Sequence, residues 1–60
     1  MDSRELTNML LQSGWKLNRV KGSHHIYYHP DRPGHLVVPH PKKELGKGLV
    51  HQILTKAGLK

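Results

Sequence analysis

The hydrophobic period of this chain changes at Gly14, and the change excludes both an all-helical and an all-strand fold. Before this glycine, the apolar residues keep the three-and-four spacing of one helical face: Leu6, Met9 and Leu10. Asp2 or Ser3 can cap the start of such a helix, and Gly14 is a usual helix stop. The first segment is therefore predicted to be an amphipathic helix that ends at Gly14.

After Gly14 the chain alternates, which predicts a half-buried strand. Trp15, Leu17 and Arg19 fall on one face of this strand, and Trp15 is expected in the core. The strand is predicted to end at a turn over residues 21–22, because a lysine and glycine there favour a hairpin. A second antiparallel strand should follow directly.

Two further strands are predicted between this turn and residue 41. Residues 23–29 are rich in aromatic and other strand-favouring side chains, and the proline- and glycine-rich segment 30–34 closes the strand. Residues 35–38 favour a short third strand, because Pro39 and Pro41 exclude further central pairing. The segment that follows is expected to be an exposed connection.

Helical spacing returns after Gly48, where the apolar residues of one face are Val50, Ile53, Leu54 and Ala57. Gly58 is placed to end this helix. Two amphipathic helices need a common surface to cover, so both are expected on one face of the sheet. The predicted fold is α+β: a single domain over residues 1–60, with a helix, three antiparallel strands and a helix.

Charge and length limit the classes of function. The 60 residues carry ten Lys and Arg against four Asp and Glu, a formal charge of +6, which favours a phosphate-bearing or acidic partner. A chain this short leaves no room for a deep substrate cavity, and without cysteine it has neither disulfides nor a thiolate zinc site. Because the sequence lacks a membrane-length apolar run and a signal-peptide pattern, we expect a soluble, cytoplasmic protein.

Short motifs extend over nearly the whole chain: Gly22-Ser23-His24-His25, Val38-Pro39-His40, Glu44-Leu45, Gly48, and Ile53-Leu54 through Ala57-Gly58-Leu59. Their order and spacing, after a helix that ends in Gly14-Trp15, resemble the HicA family of toxin endoribonucleases. The resemblance implies a fold like that of double-stranded-RNA-binding domains, which agrees with the predicted order of elements. It also implies a toxin of a type II toxin–antitoxin module, which cleaves messenger RNA without a metal or other cofactor and is neutralised by a HicB-type antitoxin.

The resemblance further implies that His24 is the catalytic histidine, with Gly22 and Ser23 as its supporting turn. Metal-free cleavage of RNA needs a base for the ribose 2′-hydroxyl, and a neutral imidazole suits that role. DNA lacks this nucleophile, so it is not expected to be cut, and contact with DNA is expected only through the antitoxin. The alternative for His24 is a half-buried strand histidine held by hydrogen bonds.

Four basic residues are candidates for phosphate binding: Arg19 and Lys21 at the hairpin, and Lys42 and Lys43 after the third strand. For each of them the alternative is an ordinary solvated charge. His25 is a contact residue at most, because successive strand residues alternate and it faces away from His24.

Aromatic and imidazole groups give further candidates. Tyr27 or Tyr28 could stack on an unpaired base, with core packing as the alternative, and Tyr27 is assigned to RNA contact. His40 is a candidate acid and RNA contact, with a loop-fixing hydrogen bond as its alternative. His35 and His51 are expected at the surface, and no metal site is predicted, because the histidines lack helical metal-ligand spacing.

The sequence constrains least which side chains of the second strand face the helices. His24 shares its parity with Ile26 and Tyr28, which we expect to face the helices, so His24 is expected at the exposed rim of the helical layer. Two other functions fit the same charge and fold. One is a non-catalytic RNA-binding module, and the other is an interaction domain that docks an acidic protein.

Overall fold

The computed structural model describes residues 1–60 and has the predicted order of elements: α1 (Ser3–Gln12), β1 (Lys16–Lys21), β2 (His24–His29), β3 (Arg32–Pro39) and α2 (Lys47–Lys56). The strands form one antiparallel sheet in the order β1-β2-β3. Residues of both helices and of the sheet form one hydrophobic core: Leu6, Leu10, Trp15, Tyr27, Leu36, Val38, Leu45, Ile53, Leu54 and Ala57. The predicted α+β fold, with both helices on one face of the sheet, is confirmed. No helix has the length and apolar character needed to cross a bilayer.

Capping and packing explain the position of α1. Asp2 is the cap residue, and its Oδ1 accepts a hydrogen bond of 2.8 Å from the backbone amide of Glu5. Gly14 follows the helix with φ +96°, a conformation that favours glycine. The chain then turns so that Trp15 enters the core, where its Nε1 donates to the carbonyl oxygen of Ala57 at 3.4 Å.

A bulge changes the faces of β1. Leu17 pairs with Tyr27 and Arg19 pairs with Ile26, so Asn18 is an extra residue without a partner. The prediction that Leu17 and Arg19 share a face is therefore wrong. The strand is also exposed along its whole length rather than half-buried, and none of its residues belongs to the hydrophobic core.

β3 begins at Arg32, earlier than the predicted start at His35. The register with β2 shifts between these two residues, which leaves Pro33 and Gly34 as an irregular segment. Proline is tolerated there because β3 is the other edge strand, and Gly34 has φ +84°. The predicted loop over residues 30–34 is thus shorter, and much of it belongs to the sheet.

α2 begins after Gly46, which has extended backbone angles and makes no side-chain capping bond. Ile53, Leu54 and Ala57 are buried and Val50 is half-buried, as the helical spacing predicts. The helix therefore attaches to the sheet through its apolar face rather than through a strong cap.

Candidate functional site

The position of Tyr27 establishes which face of the sheet each residue of β2 occupies. Tyr27 is only 3% exposed and belongs to the core, so its side chain faces the helices. Residues of opposite parity lie on the other face of the sheet, which we call the open face. The expectation that Ile26 and Tyr28 face the helices is wrong. His24 is exposed, but it lies on the open face rather than at the rim of the helical layer.

Strand register assembles the open face from three cross-strand rows, since directly paired residues share a face. The rows are Lys21–His24–Pro39, Arg19–Ile26–Val37 and Lys16–Tyr28–His35. Two of the predicted phosphate-binding residues, Arg19 and Lys21, thus share the face of His24. Arg19 reaches this face because of the bulge in β1, which alternation alone did not predict.

A tight turn positions His24 at the end of the sheet. Gly22 and Ser23 form a two-residue loop, and Lys21 pairs directly with His24. Gly22 has φ +60°, whereas no residue other than glycine has positive φ, which is the pattern of a type II′ hairpin turn. The turn holds the Cα atoms of Lys21 and His24 about 5 Å apart, so a cation lies next to the imidazole.

A second cluster surrounds His40 at the same end of the sheet. The buried Ser3 Oγ lies 2.7 Å from His40 Nδ1 and accepts a hydrogen bond of 2.8 Å from the backbone amide of Lys42. A serine hydroxyl has one proton and two lone pairs, so Ser3 Oγ can accept from the Lys42 amide and share a second hydrogen bond with His40 Nδ1. His40 N also donates to the carbonyl oxygen of Ser23 at 2.8 Å. The side chain and the backbone amide of His40 thus both make hydrogen bonds that fix the loop.

His25 belongs to this second cluster. Its ring centroid is 4.6 Å from that of His40, and the planes are inclined by 63°, an edge-to-face contact. His25 is half-buried and faces the helical side of the sheet, opposite to His24, as alternation predicts. Lys42 and Lys43 are exposed and follow His40 in the chain, so they lie near His25 and His40 rather than on the open face.

A polar groove of about 390 Å³ adjoins His40, and its lining has no large apolar side chain: Asp2, Ser3, Arg4, His40, Pro41, Lys42 and Lys43. Arg4 was not among the sequence candidates, because only the contact between α1 and the distant loop brings it to these lysines. The Ser3 amide donates to the Lys42 carbonyl at 2.9 Å and thereby holds the two segments together.

Tyr27 is not available for RNA contact, and its assignment to that role is corrected. Its ring is packed in the core, and burial raises the pKa of its hydroxyl. Tyr28 is 38% exposed and lies on the same face as His24. Of the two adjacent tyrosines, the second is therefore the one that an external base could reach.

The cations of both clusters are free of ion pairs. The single salt bridge in the chain joins the amino group of Met1 to Glu44 at 3.9 Å, so no lysine or arginine side chain is neutralised internally. His35 and His51 are exposed, as predicted. No three His, Cys, Asp or Glu side chains come together in a group that could hold a metal ion. The chemical groups at hand are therefore imidazoles and unpaired cations.

Comparison with known proteins extends these observations. A family model described as the HicA toxin of bacterial toxin–antitoxin systems matches residues 3–59. A chain of a solved structure titled "HicA3 and HicB3 toxin-antitoxin complex" is similar with a TM-score of 0.81 and 30% sequence identity, over 100% of this chain and 97% of that chain. A search of curated proteins found no match. The likeness to the solved chain thus covers every helix and strand.

Proposed function

This chain belongs to the HicA toxin family and is a toxin of a toxin–antitoxin system, and we propose that it acts as a metal-independent endoribonuclease on messenger RNA. The observation that carries the proposal is the exposed His24, held on the open face by a two-residue turn and paired with Lys21. An accessible imidazole next to an unpaired cation supplies two of the functions that cleavage by an internal nucleophile requires, a base and a positive charge near the phosphate. A non-catalytic RNA-binding module would use the same pair for phosphate contact alone, so the two functions differ in whether the bound RNA is cut.

In the proposed reaction, neutral His24 takes the proton from a ribose 2′-hydroxyl. The 2′-oxygen then bonds to the adjacent phosphorus, and the bond from phosphorus to the 5′-oxygen breaks. The products are a 2′,3′-cyclic phosphate and a 5′-hydroxyl, whose proton comes from an acid or from water. Lys21 stabilises the charge that develops on the phosphate oxygens, and a positioned base contributes about 10²- to 10⁴-fold in rate.

The remaining candidates bind the RNA backbone. Arg19 extends the cationic surface along the open face from Lys21. Lys42 and Lys43 provide a second cationic surface near the groove at the same end of the sheet. We assign His40 to a phosphate contact rather than to the role of the acid, because its ring lies on the helical side of the sheet with His25, away from His24. Phosphate contacts of this kind position a substrate without reading its sequence.

A HicB-type antitoxin is the proposed protein partner. The net charge of +6 and the unpaired cations favour an acidic protein surface, and covering the open face would block access to His24. Because messenger RNA is the substrate, we place the toxin in the cytoplasm. The antitoxin should co-purify with the chain, and His24→Ala should retain the complex, since truncation of most interface side chains costs less than about 1 kcal/mol. Absence of any complex would contradict this partner.

The nuclease is tested with purified wild type, His24→Ala and the matched control His51→Ala, which removes an exposed imidazole from α2. Each protein is incubated with one single-stranded RNA in EDTA, and the fragment ends are identified by mass spectrometry. Wild type and His51→Ala should give 2′,3′-cyclic phosphate ends, and His24→Ala should lose at least about 100-fold in rate. RNA binding without cleavage by wild type would instead support the RNA-binding module.

A further inference from the structure

We propose that the row Lys16–Tyr28–His35 on the open face is a stacking subsite for one unpaired RNA base. The inference rests on the proposed RNA cleavage and adds the form of its substrate, because a base can reach Tyr28 only where the strand is single. The subsite lies on the same strand as His24, so it would hold a nucleotide near the cleaved bond without taking part in the chemistry.

Tyr28 is an aromatic side chain that lies outside the hydrophobic core. The core contains Trp15 and Tyr27, which are 2% and 3% exposed, whereas Tyr28 is 38% exposed on the face without helices. An aromatic ring on an exposed sheet face is the arrangement by which several RNA-binding sheets stack single-stranded bases. Because every base has an aromatic face, stacking of this kind tolerates many sequences.

The neighbours of Tyr28 suit a nucleotide rather than a neutral ligand. Lys16 pairs with Tyr28 from one side and His35 pairs with it from the other, and both are exposed. Lys16 has no ion-pair partner within the chain. A base stacked on the ring would therefore have a cation within reach of its phosphate, and the +6 charge of the domain adds a general attraction.

The spacing to His24 indicates which nucleotide would occupy the subsite. Four residues along a strand span about 13 Å. The phosphates of one strand of a DNA duplex are about 3.4 Å apart along the helix axis. The span of about 13 Å is several times longer, which places the base on Tyr28 outside the pair joined by the cleaved bond. Between the two positions the face presents Ile26, half-buried, and Val37, 46% exposed, which gives the intervening bases an apolar floor.

The subsite is tested in the His24→Ala background, which removes the catalytic base and permits binding measurements on intact RNA. Affinity for a short single-stranded RNA is measured for Tyr28→Ala, Tyr28→Phe and the control Leu11→Ala, which removes an exposed apolar side chain from α1. Tyr28→Ala should weaken binding by about 5- to 150-fold, the range for loss of one base stack. Tyr28→Phe and Leu11→Ala should remain within about 2-fold of the parent, because the ring is retained or was never involved.

A set of RNAs with one abasic nucleotide at each position supplies a second measurement that does not depend on the stability of a variant. One abasic position should weaken binding to the parent, and the same position should have no effect once Tyr28 is alanine. Equal affinity of Tyr28→Ala and the parent for every RNA would overturn the subsite, and so would a loss confined to antitoxin binding. Cleavage by wild type is measured in parallel: its absence refutes the nuclease itself, whereas cleavage with no effect at Tyr28 refutes only the subsite.

Discussion

Replacing Ser3 by alanine removes one hydroxyl that connects three segments of the chain. Ser3 is 2% exposed, and its Oγ accepts from the Lys42 amide at 2.8 Å and lies 2.7 Å from His40 Nδ1. Alanine has nearly the same volume, so the core should not collapse or open. The variant therefore isolates the hydrogen bonds from the packing.

The expected loss of stability follows from the two bonds. Each hydrogen bond contributes about 1 kcal/mol net, and a donor or acceptor left unsatisfied in a partly buried site costs about 1–3 kcal/mol. Water can reach the groove and satisfy part of the Lys42 amide and His40 ring, which lowers the total. Ser3→Ala should thus lower the free energy of unfolding by about 2 kcal/mol. Since 1 kcal/mol shifts the Tm of a domain of this size by about 4–8 °C, the Tm should fall by about 8–16 °C.

Urea denaturation followed by circular dichroism measures the effect directly. Ser13→Ala is the matched control, because Ser13 is half-buried beyond the same helix and its hydroxyl makes no hydrogen bond within the chain. The control should change the free energy of unfolding by less than about 0.5 kcal/mol. An equally small change for Ser3→Ala would refute the view that this hydroxyl fastens His40 and the loop to α1.

Two other predictions concern the turn after α2 and the core tyrosine. Gly58 has φ +80°, a backbone conformation that strains alanine, so Gly58→Ala should cost about 1–2 kcal/mol in thermal or urea unfolding, whereas the exposed Arg32 guanidinium near the added Cβ can move away. The control Gly48→Ala, helical and with open space, should not destabilise, and an equal loss in both variants would contradict the argument. Burial raises the pKa of Tyr27 above its ordinary value of 10.0, so as the pH rises through 10 the unfolded chain loses this proton first and stability falls. Tyr27→Phe should show a smaller fall over that range, and identical pH profiles of unfolding would show that the ionisation does not contribute.

The order of elements could be predicted because the hydrophobic period changes at the ends of the helices. Leu6 and Leu10 in the first helical segment, and Ile53 and Ala57 in the last, are each four residues apart, about one helical turn, and all four are buried as expected. Helix periodicity is a local property, so it is visible in the sequence without knowledge of tertiary contacts.

The faces of the sheet could not be predicted with the same success. Residues 26–28 are all apolar or aromatic, and so are residues 36–38, so alternation does not determine which of them enter the core. Which side chains enter the core depends on how β2 and β3 pack against the two helices. The bulge at Asn18 then reverses the side of Arg19, and a bulge leaves no clear signal in a polar strand.

The candidate site likewise contains some residues that the sequence indicates and others that only the tertiary structure brings together. The position of His24 after a glycine turn is local in sequence, and the resemblance of Gly22-Ser23-His24-His25 to the HicA family indicates this residue without knowledge of its surroundings. The cluster of Ser3, His40 and Lys42 depends on two hydrogen bonds of Ser3, to partners that lie 37 and 39 positions later in the chain. Residue spacing within one helix or strand does not reveal such contacts. Arg4 was missed for the same reason.

The most direct measurement of the central claim uses an RNA in which one ribose at a mapped cleavage site is replaced by 2′-deoxyribose. If His24 activates the 2′-hydroxyl, cleavage at that bond should stop while binding of the RNA is unchanged, and cleavage at unmodified sites should continue. Continued cutting at the deoxy position, by wild type but not by His24→Ala, would show that the nucleophile is not the neighbouring ribose and would contradict the proposed mechanism.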